Sequence, residues 1–500
     1  MASVTSGPVQ RVLLPLVLFA TAFSVRLFPL LAGGGTYPVD NYDPSVYYAA
    51  AVGLFEGRVP YRDFLLLHPP GLLLFLQPFV ALGSVVGDPT ANLVARIAFM
   101  VLGGLSTVLV YRILLPRGAA AATLAAGLYA VYYPAVYAER TTRLEGLASF
   151  LVLAGLALLG PLAAKGVGRL AVAGAGLLFG LAATVKIWGV VLLVALGLWL
   201  LLHEGLRSAL AATAGAVLAA VVVIGPFLVL APQEFWRMVV LDQVGRPELT
   251  IGPVQRLNDI FGLYQFGGRE AEAAGQLAVP AAVTVALGAV LLVALGAAVG
   301  DRAGRLYAFC LVAALATLLA GPSWFAHYPT LAIGPMALVL GVAVGRLDAV
   351  AGRVGRVVIA VLVAGLVAAG VAAQSGQPEG RPFPEETVTR ALADRPGCIT
   401  TDNPVALILT DTLRRDLRRG CPLVVDLSGY VYDILRAHGG AADREDNPAF
   451  QRELMRYLGS GHTTVLMRLW PESFDPASRA QVESWPVLAR FDGHAIREPR

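Results

Sequence analysis

Three groups of polar residues stand out because almost everything around them is apolar. The first reads Asp40-Asn41-Tyr42-Asp43-Pro44-Ser45-Val46-Tyr47-Tyr48, followed by Pro60-Tyr61-Arg62-Asp63-Phe64 and His68-Pro69-Pro70. The second is Tyr137-Ala138-Glu139-Arg140-Thr141-Thr142-Arg143-Leu144-Glu145. The third is Ser323-Trp324-Phe325-Ala326-His327-Tyr328-Pro329, and Lys186 stands alone between two apolar runs. A carboxylate such as Asp43, Asp40 or Glu145 can take a proton from an attacking hydroxyl. Arg143 and Lys186 can hold a phosphate, and Tyr47 and Tyr48 offer ring faces to a sugar.

Each residue also has a plainer reading. Asp43 ahead of Pro44 and an apolar run ending at Gly57 is a good helix start, with Asp as N-cap and Pro at the first position. Asp40, three residues earlier, is ordinary in a loop. The tyrosines suit an interfacial aromatic belt. Glu139 and Arg140 fit helix-end charge, whereas Arg143 and Glu145 sit where apolar sequence resumes and charge is costly in lipid. Lys186 either snorkels to the outer surface or binds a lipid phosphate. A histidine in an aromatic turn, such as His327, is more often structural than catalytic. His68 precedes two prolines that force an extended chain.

These residues need elements to hold them, and composition says which kind. The chain has 500 residues, 57% hydrophobic and 14% charged, against about 25% charged in soluble domains. Mean hydropathy is +0.68. The chain reads as a polytopic α-helical membrane protein. A net charge of +4 with dispersed arginines gives no nucleic-acid footprint. A span needs roughly 20 apolar residues. About eleven candidates appear: 12–32, 91–111, 118–137, 145–163, 170–184, 187–202, 209–231, 277–299, 306–321, 329–345 and 357–373. The pair flanking Lys186 also reads as a shallow hairpin. The shorter, Pro-interrupted stretch 72–86 reads as an interfacial helix.

With the N-terminus inside, Arg112, Arg117, Lys165, Arg169, Arg207, Arg302, Arg305, Arg346, Arg353 and Arg356 all fall in inner loops, as the positive-inside bias requires. The loop 33–90, the turn 138–144, the loop 232–276, the turn 322–328 and the tail then lie outside. The first span lacks a small-residue cleavage site. The domains expected are residues 1–375, membrane-spanning with interfacial helices in loop 33–90, and residues 384–500, a small extracytoplasmic α/β domain. Strands are expected at 398–401, 423–425 and 463–467, with helices over 404–418 and 447–459. The tail carries no phosphate loop or nucleophile motif. It is expected to fold on its own and to tune acceptor access rather than do chemistry. Cys398 and Cys421 each begin an expected strand, and their pairing is left open. Cys310 reads as a small apolar filler in a span.

Taken in order, these residues resemble the GT-C superfamily of membrane glycosyltransferases, which includes protein O-mannosyltransferases, aminoarabinose transferases and actinobacterial mannosyl- and arabinosyltransferases. The likeness lies in Asp43 to Tyr47, in Gly57 to Phe64 leading to His68-Pro69-Pro70, in Arg143 to Glu145, and in Phe325 to Pro335; it covers about residues 12–345. Many relatives carry Asp-Glu at the helix start. Here Pro44 replaces the Glu, so a second carboxylate is either absent or comes from Asp40 or Glu145.

The resemblance implies transfer of one sugar from a polyprenyl-phosphate donor to a hydroxyl of a lipid-linked, glycan or protein acceptor at the outer membrane face. It gives Asp43, with Asp40, the catalytic role. Arg143, Lys186 and His68 go to the donor phosphate, and Tyr47, Glu145, His327 and Tyr328 to substrate. The loop 232–276, with Trp236, Arg246 and Arg256, would be a flap. Some relatives bind a divalent cation, so Mg or Mn held by Asp43 and Glu145 stays open. A transporter or flippase is the main rival, but such proteins show mid-membrane sites and repeated halves. Here the charges crowd at the outer mouth and no repeat is visible. A membrane-anchored scaffold would not need Asp40, Asp43 and Glu145 at adjoining mouths.

Overall fold

The computed structural model describes residues 9–32, 42–160, 168–247, 251–263, 281–347, 382–393, 395–491 and 493–499. Asp40, Lys165 and the candidate span 357–373 lie outside these. The chain divides into two compact units. One comprises Met1–Ala32, Arg96–Val223 and Leu249–Pro378, and the other Gly33–Ala95, Ile224–Glu248 and Glu379–Arg500.

The first unit is helical. Across the described residues of the whole chain, six helices are long and apolar enough to cross a membrane. A seventh is counted if Ala119–Val131 and Tyr133–Glu139, bent by 59°, form one broken span. Leu144–Leu158, Arg169–Val185 and Gly189–His203 are apolar but shorter. Eleven full-length spans are therefore not what the described residues present. Length is the difference: the expected span 118–137 is broken ahead of Pro134, and the helices on either side of Lys186 stay short. Lys186-Ile187-Trp188 links two helices that pack on one another.

The helix Arg169–Val185 lies closely against Leu206–Val223 because the contact is lined by small residues. A Cβ on Gly176 would run into the Ala212 carbonyl, and one on Gly180 would lie 2.7 Å from the Ala216 Cα. Elsewhere in this unit Arg26, fully buried, donates from Nε to Glu139 Oε2 at 2.8 Å and from Nη1 to the carbonyls of Ala22 and Ala130. The Tyr129 hydroxyl donates to the other Glu139 oxygen at 2.7 Å. Glu139 is thus half of a buried pair rather than helix-end charge.

In the second unit the loop forms helices Tyr42–Phe55 and Gly71–Val86, the latter at the expected interfacial stretch and containing Pro78. Between them Pro60–Phe64 is a turn. Tyr61 adopts φ +72°, a left-handed conformation that costs a non-glycine residue of order 1–3 kcal/mol. Its buried ring meets Phe227 and Phe235 edge-on, and its hydroxyl donates to the His68 carbonyl at 2.8 Å.

The tail contributes a four-stranded sheet in the order β1-β2-β4-β3. β1 (Ile399–Thr401) runs parallel to β2 (Thr463–Leu466), while β3 (Val487–Phe491) and β4 (His494–Arg497) complete it antiparallel. Phe450, Leu454, Leu458, Leu466, Phe474 and Trp485 fill its core. The strands expected at 398–401 and 463–467 are present. Residues 423–425 form no strand, because the segment 421–429 is a connection that ends in a turn at Asp426. The helix expected over 404–418 is broken into Val405–Leu409 and Leu413–Arg418, with Asp411 left-handed between them. Pro448–Leu458 forms as expected, capped by the Asn447 side chain. Cys398 and Cys421 form a disulfide.

The tail does not stand alone. Arg414 donates to both oxygens of Asp88 at 2.9 Å and to Glu56 at 3.2 Å, and Tyr48 also donates to Asp88. Arg436 pairs with Asp242, and Arg237 with Asp433. A segment that composition sets apart is joined by ion pairs to Glu56, Asp88, Arg237 and Asp242.

Candidate functional site

The helix Tyr42–Phe55 begins one residue before Asp43, so Asp43 lies in its first turn and is not its N-cap. From Tyr42 to Gly53 every residue is buried except Asp43, which is partly exposed. Carboxylates near a helix N-terminus are favoured by its dipole, yet a buried helix has no packing reason to present one. Tyr47, one turn on, meets the His68 ring edge-on at 5.7 Å. Asp43, Tyr47 and His68 thus share one neighbourhood.

A further carboxylate is there. Asp426 accepts from the Tyr42 hydroxyl at 2.9 Å and from the Gly429 N–H at 2.8 Å. Burial pushes its carboxyl above the ordinary range; Tyr42 and Gly429 oppose this, the charge of Asp43 adds to it, and Arg246 eases it. Burial likewise drives the Tyr42 hydroxyl well up, with Asp426 next in effect. Arg468 lies over the Tyr42 ring at 4.3 Å, and Arg246 over Tyr432 at 4.6 Å. The sequence reading sought the missing second carboxylate in Asp40 or Glu145, and overlooked Asp426 and Arg468. A strand-end signal, where α/β sheets place polar sites, existed for Asp402, which follows β1, but not for Asp426, since residues 423–425 form no strand.

The other expected residues gather in the helical unit. Lys186 and Glu145 are in direct contact, and Glu145 Oε1 is 3.5 Å from His327 Nε2. Arg143 lies 3.4 Å from His327 Nδ1, donates to the Tyr137 hydroxyl at 3.1 Å, and stacks over the Tyr137 ring at 4.6 Å. The Lys186 ammonium is 4.2 Å from the ring centres of both Trp188 and Tyr328. Lys186 is therefore buried in an ion pair and an aromatic cage rather than snorkelling. The arrangement suits an anion: an ammonium and a guanidinium are linked through one carboxylate and a histidine that are able to exchange partners.

It does not suit a divalent cation. Glu145 already meets an ammonium, and among the described residues no three of His, Cys, Asp and Glu come together as ligands. The loop 232–276 is divided, residues to Glu248 belonging to one unit and those beyond to the other. Arg256 closes the helix Arg302–Ala320 by donating to the carbonyls of Leu318, Leu319 and Gly321, while Trp324 donates to Asp259 at 2.6 Å. Arg62 and Asp63 pair with each other at 2.9 Å, and the Asp63 carboxylate also accepts the Val59 N–H.

Residues 66–322, more than half of the chain, match the model of Glycosyltransferase family 87. The chain belongs to that family. No curated protein matches this family 87 chain by sequence. Among solved structures it is similar to ArnT from Cupriavidus metallidurans. In the apo state the TM-score is 0.60 at 14% identity, and bound to undecaprenyl phosphate it is 0.61 at 15%; each comparison covers 97% of this chain and 98% of that one. It is also similar to the oligosaccharyltransferase AglB from Archaeoglobus fulgidus in complex with an inhibitory peptide and a dolichol-phosphate, with TM-score 0.56, 12% identity, and 95% and 73% coverage. At such identities the likeness shows the fold, which is of GT-C type. This family 87 member is a multi-pass membrane glycosyltransferase.

Proposed function

We propose that this glycosyltransferase takes its sugar from a polyprenyl-phosphate donor and passes it to a hydroxyl at the outer face of the membrane. The N-terminus is then inside and the tail outside, as the arginine distribution favours. The observation that carries the reading is Asp43, the one partly exposed residue in the buried stretch Tyr42–Gly53. A fold shared with a protein crystallised with undecaprenyl phosphate supports the choice of donor.

In the reaction the acceptor oxygen bonds to the anomeric carbon and its proton passes to the Asp43 carboxylate. The bond from that carbon to the phosphate oxygen breaks, and its electron pair leaves on the lipid phosphate. Arg143 and Lys186 are assigned to that phosphate, where fixed cations lower the barrier most as charge develops. His68 is assigned to the same anion, and Tyr47, Glu145, His327 and Tyr328 to substrate. Asp40 remains a proposed second carboxylate. No step uses a metal.

Asp43→Asn tests the assignment. Asn is similar in size and shape to Asp, so the fold should hold, while loss of a general base slows turnover on the order of 10²–10⁴-fold. The measurement is transfer of radiolabel from synthetic polyprenyl-phosphate mannose and arabinose, tried in parallel, to an octyl-glycoside acceptor. A stable and fully active Asp43→Asn protein sinks the assignment.

A further inference from the structure

We propose that Asp426 is a positioning residue for Asp43, so that the tail is part of the catalytic machinery. The proposal rests on the reading of Asp43 as the base. Asp43 is flanked by two residues that the tail holds. On one side, Tyr42 donates its hydroxyl to Asp426 Oδ1 at 2.9 Å and accepts the Ser428 N–H at 3.1 Å. The Gly429 N–H fixes the same Asp426 oxygen from the tail side at 2.8 Å. On the other side, the Ser45 hydroxyl lies 3.1 Å from Asn403 Oδ1.

These tail residues are themselves anchored. Asp402, buried and adjoining Asn403, gathers the N–H groups of Met467, Arg468, Leu469 and Trp470 at 2.7–3.3 Å. That fixes the loop from which Arg468 covers the Tyr42 ring. One corner of the tail, built from residues 402–403, 426–429 and 468, therefore sets the first turn of the helix that carries Asp43. Proton transfer depends on placing the base within a fraction of an ångström, and a misplacement of about 1 Å can cost 10²-fold. Asp426 is partly exposed, as Asp43 is, but it is tethered by the Tyr42 hydroxyl and the Gly429 N–H, so it acts through the turn rather than on substrate.

Two observations separate positioning from general support. Asp426→Asn and Tyr42→Phe should each lower kcat by about 10–100-fold, with donor KM changed less than about threefold. The double variant Asp43→Asn/Asp426→Asn should be no slower than Asp43→Asn, because groups that act as a unit are not additive. The assay uses the purified full chain with the mannose and arabinose donors above. Amide hydrogen exchange over residues 42–48 should quicken in Tyr42→Phe, a readout that needs no substrate and stands if Asp426→Asn does not fold.

If Asp43→Asn is slow while Asp426→Asn and Tyr42→Phe turn over like wild type, the clamp is wrong and the base reading stands. Losses that multiply in the double variant, or unchanged exchange in Tyr42→Phe, also overturn the clamp alone. Full activity of Asp43→Asn overturns the base reading, and the clamp with it.

Discussion

Arg26 is a guanidinium in the middle of an apolar run, and the structure shows why it is tolerated there: Glu139 and two carbonyls take its donors. Desolvating such a pair costs nearly what its attraction returns, so the pair adds little net stability, while removing one partner strands a buried charge. Arg26→Met should cost about 3–5 kcal/mol in detergent unfolding. Arg26→Met combined with Glu139→Leu should recover most of that loss. A double variant as unstable as the single one would show that the site needs the charges themselves. Glu139 was read from sequence as helix-end charge, because its partner lies 113 residues away. By contrast, Glu145 and Arg143 were legible together, and His327 separately, as residues worth watching; only the fold brings the three together. Each is a polar residue at the start of apolar sequence, where lipid tolerates charge only if it is used.

At the scale of elements, hydropathy located the helices but not the closeness of their packing. The helices Arg169–Val185 and Leu206–Val223 approach to backbone contact because Gly176, Gly180 and Gly215 present no Cβ. Association in lipid draws on such packing rather than on the hydrophobic effect. Gly176→Ala should therefore destabilise the helical unit by about 1–3 kcal/mol through overpacking. Gly197→Ala, whose new Cβ would meet nothing within 4 Å, should be neutral or gain up to about 1 kcal/mol. Thermal unfolding of the two proteins in the same detergent decides; equal effects would mean that the Gly176 contact is not tight. The broken helix at 404–418 is another case. Its apolar pattern continues through Asp411, but the left-handed backbone there lets Asp411 accept the Asp88 N–H at 2.9 Å.

For the whole molecule, the proposed orientation predicts that a cysteine placed at Ala442 reacts with an impermeant maleimide in intact cells, while one at Arg207 does not. Both positions are exposed, so burial does not confound the comparison. The reverse labelling pattern would turn the chain over and put the proposed reaction on the wrong side. The tail is a second matter of scale. Its charge and β-rich runs mark it as a separate fold, and the sheet β1-β2-β4-β3 has its own core. Yet Arg414, Asp426 and Arg436 bind residues of the segments 42–95 and 224–248.

What the sequence by itself determined is what depends on composition and short-range order. That covers the membrane class, most of the apolar helices, the short helix over 72–86, β1 and β2, and the polar residues worth watching. These follow because lipid demands long apolar helices, and because unused charge is rare within them. Only the tertiary structure decided which charges are spent on the fold and which are left near a candidate site. It paired Arg26 with Glu139 and Lys186 with Glu145, and turned Arg256 into a helix cap. It also brought Asp426 beside Tyr42 from 384 residues away. Contacts between residues so far apart are set by the packing of whole elements, which local pattern does not encode.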